Sequence, residues 1–74
     1  MNYEYADAYL EIMASYHLNN DPSLRRIKKS IIKTIAQYTR EGGKPYVAIW
    51  VDGETYYFNG SMEEFDKAYK TVYI

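Results

Sequence analysis

Apolar residues recur every three or four positions through the first half of the chain, change to a period of two over residues 46–59, and return to helical spacing after Ser61. That change of period sets the expected elements. Over residues 3–18, Tyr5, Tyr9, Ile12, Met13 and Tyr16 form one helical stripe beside Ala6, while Glu4, Asp7 and Glu11 fall opposite. Asn2 stands at the capping position, and the acidic residues of the first turns complement the helix dipole. Asn19-Asn20-Asp21 ends this predicted helix. Asp21-Pro22 then supplies a capping carboxylate followed by a proline at the first helical position.

A second amphipathic helix is predicted over about 22–41. Leu24, Ile27, Ile31, Ile35 and Tyr38 form its apolar stripe, with Arg26, Lys29, Lys33 and Arg40 on the far side and Arg25 close by. Gly42-Gly43 supplies its stop. Two helices separated by so short a loop are expected to pack as an antiparallel pair.

The period then falls to two. Tyr46–Val51 and Glu54–Asn59 are β-rich runs separated by Asp52-Gly53, which predicts a two-residue hairpin turn with both central residues at positive φ. Val51 would pair with Glu54, Ile49 with Tyr56 and Val47 with Phe58 on one face. Tyr46, Ala48, Trp50, Thr55 and Tyr57 take the other. Ser61-Met62-Glu63-Glu64 reads as a capping box for a third helix, whose apolar face is Met62, Phe65, Tyr69, Val72 and Tyr73. The predicted fold is therefore a small α+β domain spanning residues 1–74, in the order ααββα, with neither an internal repeat nor a second domain.

Composition adds two constraints. Apolar residues make up 47% of the 74 residues, enough for a modest core, and ten of them are tyrosines. Tyr joins a large apolar ring to a hydroxyl suited to the solvent edge, so it serves both small cores and binding surfaces. There is no cysteine, which excludes disulfides, a thiol nucleophile and a thiolate metal site. The N-terminal residues have no secretory signal pattern, and no apolar run reaches membrane-spanning length. A cytoplasmic protein that does not engage a membrane is the expectation.

The net charge of −1 conceals three blocks. Glu4, Asp7, Glu11 and Asp21 give the first a charge of −4. Arg25, Arg26, Lys28, Lys29, Lys33, Arg40 and Lys44 against Glu41 give the second +6. Asp52, Glu54, Glu63, Glu64 and Asp66 against Lys67 and Lys70 give the third −3. Such a pattern offers a local anion-attracting surface within an acidic whole.

Catalytic chemistry finds little support. His17 is the only histidine, and no nucleophile or orienting acid is spaced to work with it. A single helical stripe of Glu4, Asp7 and Glu11 converges poorly on a hard cation. Gly42-Gly43-Lys44 has Tyr38 where a phosphate loop needs its first glycine and Pro45 where it needs a hydroxyl. Asp52-Gly53-Glu54 has no flanking ligands for calcium and is explained by a turn. No cofactor, metal or catalytic residue is assigned.

Two surfaces remain as binding candidates: the basic residues Arg25, Arg26, Lys29, Lys33 and Arg40, and the aromatic hairpin face of Tyr46, Trp50 and Tyr57. Residues 9–59 resemble a winged helix-turn-helix in element order alone. That likeness implies a second helix in the major groove and a hairpin on the backbone, although the hairpin tip carries Asp52 and Glu54. In size and character the chain also looks like the small inhibitors and adaptors of phages and mobile elements, anti-restriction and anti-CRISPR proteins among them. The favoured expectation is a non-catalytic protein that occupies a partner protein's functional surface. A nucleic-acid-binding regulator using the basic helix is the alternative, and a second copy pairing through the hairpin edge is the expected route to a homodimer.

Overall fold

The computed structural model describes residues 8–73. Its order is β1 (Ala8–Ala14), β2 (Ser23–Lys28), a 3-10 turn (Lys29–Ile31), β3 (Ile32–Thr39), β4 (Pro45–Val51), β5 (Glu54–Phe58), α1 (Met62–Ala68) and β6 (Lys70–Tyr73). Two antiparallel three-stranded sheets result, ordered β2-β1-β6 and β3-β4-β5. Among the described residues the protein is mainly β with one short helix, so the predicted ααββα arrangement does not form.

From Ala8 onward, the first predicted helix is instead β1 followed by an irregular link. Ala8, Leu10, Ile12 and Ala14 alternate inward and are buried, while Tyr9, Glu11 and Met13 face outward. This is a period of two. Asn2, Glu4, Tyr5, Ala6 and Asp7, assigned above to the start of that helix, lie outside the described residues.

The second predicted helix is β2, the 3-10 turn and β3 in succession. Two local irregularities counterfeit its helical period. The turn at Lys29–Ile31 interrupts the strand, and the β3–β4 register shifts between Ile32 and Thr34. Each slips the inward-facing set by one residue, so Ile27, Ile32 and Ile35 all meet the core although no single strand pattern connects them. Gly42 and Gly43 (φ 89° and 79°) turn the chain from β3 into β4 rather than ending a helix.

The β4–β5 hairpin has the register read from the sequence: Val47 opposite Phe58, Ile49 opposite Tyr56, Val51 opposite Glu54. Its turn differs from expectation. Gly53 alone takes positive φ (79°), and Asp52 does not. This is the sign pattern of a type II turn, which spares the non-glycine residue a left-handed conformation. Ser61 caps α1 with a complete capping box. The helix stops at Ala68, because Lys70–Tyr73 extend along the open side of β1 and pair Val72 with Tyr9.

The sheets share one core of Leu10, Ile12, Ala14, Ile27, Val47, Ile49, Val51 and Phe65. Ser15 joins them. Its N–H donates to the Tyr57 carbonyl (3.0 Å) and its carbonyl accepts from the Tyr57 N–H (2.7 Å). The buried Ser15 hydroxyl donates to the His17 carbonyl at 2.6 Å, so no polar atom is stranded at this joint.

Candidate functional site: an aromatic sheet face

Strand alternation divides the side chains of β3-β4-β5 into two sets. The inner set, Ile35, Val47, Ile49, Val51, Tyr56 and Phe58, belongs to the core or packs against it. The outer set follows from the register. Thr34, Trp50 and Thr55 form one row across the sheet, Ala36, Ala48 and Tyr57 the next, and Tyr38 and Tyr46 a third.

Four rings gather there. Tyr38 stacks on Tyr46 with centroids 5.7 Å apart and tilts against Trp50 at 6.0 Å, and Tyr46 meets Tyr57 edge-on at 5.9 Å. These are the separations at which aromatic pairs attract. Ala48, at the centre of the group, is 1% exposed although it faces away from the core. Trp50 and Tyr38 stay open, at 38% and 40% exposure. The helix lies on the other side of the sheet, since Phe65 packs with Val47, Ile49 and Val51.

The face carries no charged residue in its three rows. Among the described residues, no hydrogen bond engages the Trp50 indole or the hydroxyls of Tyr38, Tyr46 and Tyr57. Tyr46, Trp50 and Tyr57 are thus brought together as the sequence suggested. Tyr38 completes the group, and the sequence pattern hides it by placing it on the apolar stripe of the second predicted helix. Its signal was the β-rich run Ile32–Thr39 immediately before a Gly-Gly turn.

The basic candidates are not brought together. Arg25 donates from Nε to the Ala14 carbonyl (2.9 Å), and its guanidinium lies 4.3 Å from the Tyr16 ring centroid and 5.6 Å from that of Tyr56. It closes the seam between the sheets. Arg26 pairs with Glu11 directly across β2 and β1 at 2.9 Å. Lys29 donates to the Thr71 hydroxyl at 2.7 Å, tying the 3-10 turn to β6. Lys33 pairs with Asp52 at 2.9 Å beside the hairpin tip, while Arg40 donates to the Asn19 side chain at 3.0 Å. Lys33 and Arg40 sit near opposite ends of β3, roughly 23 Å apart along the strand. The basic helix does not exist, because its residues belong to two strands and a turn that send their side chains to different neighbours.

The pKa of the Tyr56 phenol is shifted upwards. Burial first, then the neighbouring Tyr16 phenol and the Glu54 carboxylate, push it up to about 12. Its hydroxyl donates to Glu54 Oε1 at 3.3 Å. This phenol stays protonated and structural at neutral pH. Among the described residues, no group of three His, Cys, Asp or Glu side chains converges as a metal site, and no helix is long and apolar enough to cross a membrane.

The hairpin edges proposed for pairing are partly occupied. β3 pairs along β4, and Ser15 takes both backbone groups of Tyr57 on β5. The chain matches no described protein family, no curated protein and no solved structure.

Proposed function

We propose that this chain is a non-catalytic binding protein that engages a protein partner through the outer face of β3-β4-β5, with Trp50 and Tyr38 as anchors and Tyr46 and Tyr57 beside them. The observation that carries this reading is the pair of open aromatic side chains on an uncharged sheet face. Tyr and Trp dominate binding energy at such surfaces because each desolvates a large rigid area at little entropic cost. Absence of cations among the rings favours protein over nucleic acid, whose phosphates demand neutralisation. An uncharged aromatic face of this kind suits an inhibitor or adaptor that acts by occupying a site on its partner.

Capture of a partner from source lysate by tagged protein tests the proposal when Trp50→Ala is run beside Arg26→Ala. The reading expects nuclease-resistant capture that Trp50→Ala abolishes and Arg26→Ala leaves intact. Capture that survives Trp50→Ala, or that disappears after nuclease treatment, overturns it.

A further inference from the structure

The chemistry of the aromatic face narrows the class of partner. We infer that it takes a short proline-rich segment in an extended, left-handed polyproline conformation; this rests on the binding reading above and names the ligand for the same surface.

Three observations converge on that class. The first is size. Tyr38 and Trp50 are about two-fifths exposed and Tyr46 and Tyr57 less so. With 150–250 Å² per aromatic side chain, the four rings leave roughly 300 Å² open. A stable globular interface needs about 800 Å² from each partner, so the patch matches a linear segment better than a second folded surface or a copy of this chain. The second is charge. The three rows hold Thr34, Thr55, Ala36, Ala48 and the four rings, with nothing to pair an acidic or basic peptide or a phosphate.

The third is hydrogen bonding. The indole N–H and three phenolic O–H groups are donors without a partner among the described residues. A proline-rich backbone has no N–H and presents solvated carbonyls, so it accepts without offering competing donors. Its ring faces pack on aromatic side chains, and its conformation is formed before binding, which limits the entropy lost. The rings occupy all three strands. The segment therefore lies across the face rather than adding a strand to an edge.

Isothermal titration calorimetry with blocked decaproline tests the inference, using a length-matched Gly-Ser peptide and oligo-dT as controls. The inference expects saturable binding of decaproline alone, changed little between low and high salt. Trp50→Ala should weaken it roughly tenfold or more, the usual consequence of removing an anchor, and Trp50→Phe should restore part of the loss. Thermal melts of both variants establish that they are folded. A second variant, Tyr38→Ala, provides the same readout without touching Trp50.

Absence of decaproline binding overturns the inference, as does equal binding of the Gly-Ser peptide or indifference to both substitutions. Oligo-dT binding that falls steeply with salt also overturns it. If decaproline fails while Trp50-dependent capture of a lysate protein persists, the ligand class is wrong and the binding surface stands.

Discussion

Strand β4 carries two different surfaces on alternate residues. Val47, Ile49 and Val51 point inward and are buried with Ile12, Leu10 and Phe65, whereas Tyr46, Ala48 and Trp50 point outward beneath and among open rings. Both sets are apolar. The inner one is aliphatic and seals against a second sheet; the outer one is aromatic, with polar edges that solvent can satisfy. On the proposed reading, stability and recognition separate within one strand: the inner face holds the sheets together, and the outer face is the binding surface.

That separation predicts a ranked series of effects. Ile49→Ala strikes the inner face where no side-chain area is exposed and should cost about 2–5 kcal/mol. A domain of this size has only about 3–5 kcal/mol to lose, so urea denaturation should find the variant largely unfolded. Gly60→Ala is next. A Cβ there would sit 2.7 Å from Cε2 of Phe58, whose ring packs edge-on against Phe65 at 5.5 Å. Overpacking of this kind costs about 1–3 kcal/mol and should lower the melting temperature.

Arg25→Ala sharpens the contrast at the seam. It removes the bond to the Ala14 carbonyl and the stacking on Tyr16, and chemical denaturation should show a loss of about 1–2 kcal/mol. Arg25→Lys should recover only part, because an ammonium lacks the planar face. Trp50→Ala should have the smallest effect on stability, about 1 kcal/mol or less from the lost cross-strand ring contacts. Its effect on binding should be the largest of the four. Equal destabilisation by Trp50→Ala and Ile49→Ala would erase the distinction between the faces.

Tyr56 belongs to the inner side of the comparison and gives it a pH signature. Its pKa in the folded protein, about 12, is raised above the ordinary 10 by burial, Tyr16 and Glu54. A raised pKa means that the folded state holds the proton longer than the unfolded chain does. The associated stability is complete below pH 10 and is lost as the pH climbs towards 12. Ultraviolet titration should show a late-ionising component that vanishes in Tyr56→Phe.

The two halves of the chain differed in how plainly they announced their structure. In the hairpin, two β-rich runs around Asp52-Gly53 fixed the place of the turn, and with it both faces and the pairing of Val47, Ile49 and Val51. Ser61 and Glu64 announced their helix through reciprocal side-chain capping. Further upstream, Tyr9 and Met13 hid the alternation of Ala8, Leu10, Ile12 and Ala14, because apolar residues stood on both sides of β1. From Ser23 to Thr39 the obstacle was geometric. A 3-10 turn and a register shift converted two strands into a sequence with helical spacing. The density of isoleucine and threonine there was the contrary sign, favouring a pleated surface over a helix. The aromatic site was legible where the hairpin was, in Tyr46, Trp50 and Tyr57. Tyr38 and the scattering of the basic residues required the third strand.

Trp50 is the only tryptophan, so acrylamide quenching of its fluorescence reads the outer face without mutation. An open aromatic face predicts red-shifted emission and efficient quenching in the isolated monomer, with protection when a ligand binds. Blue-shifted emission that acrylamide does not reach would place Trp50 in an interior and contradict the account.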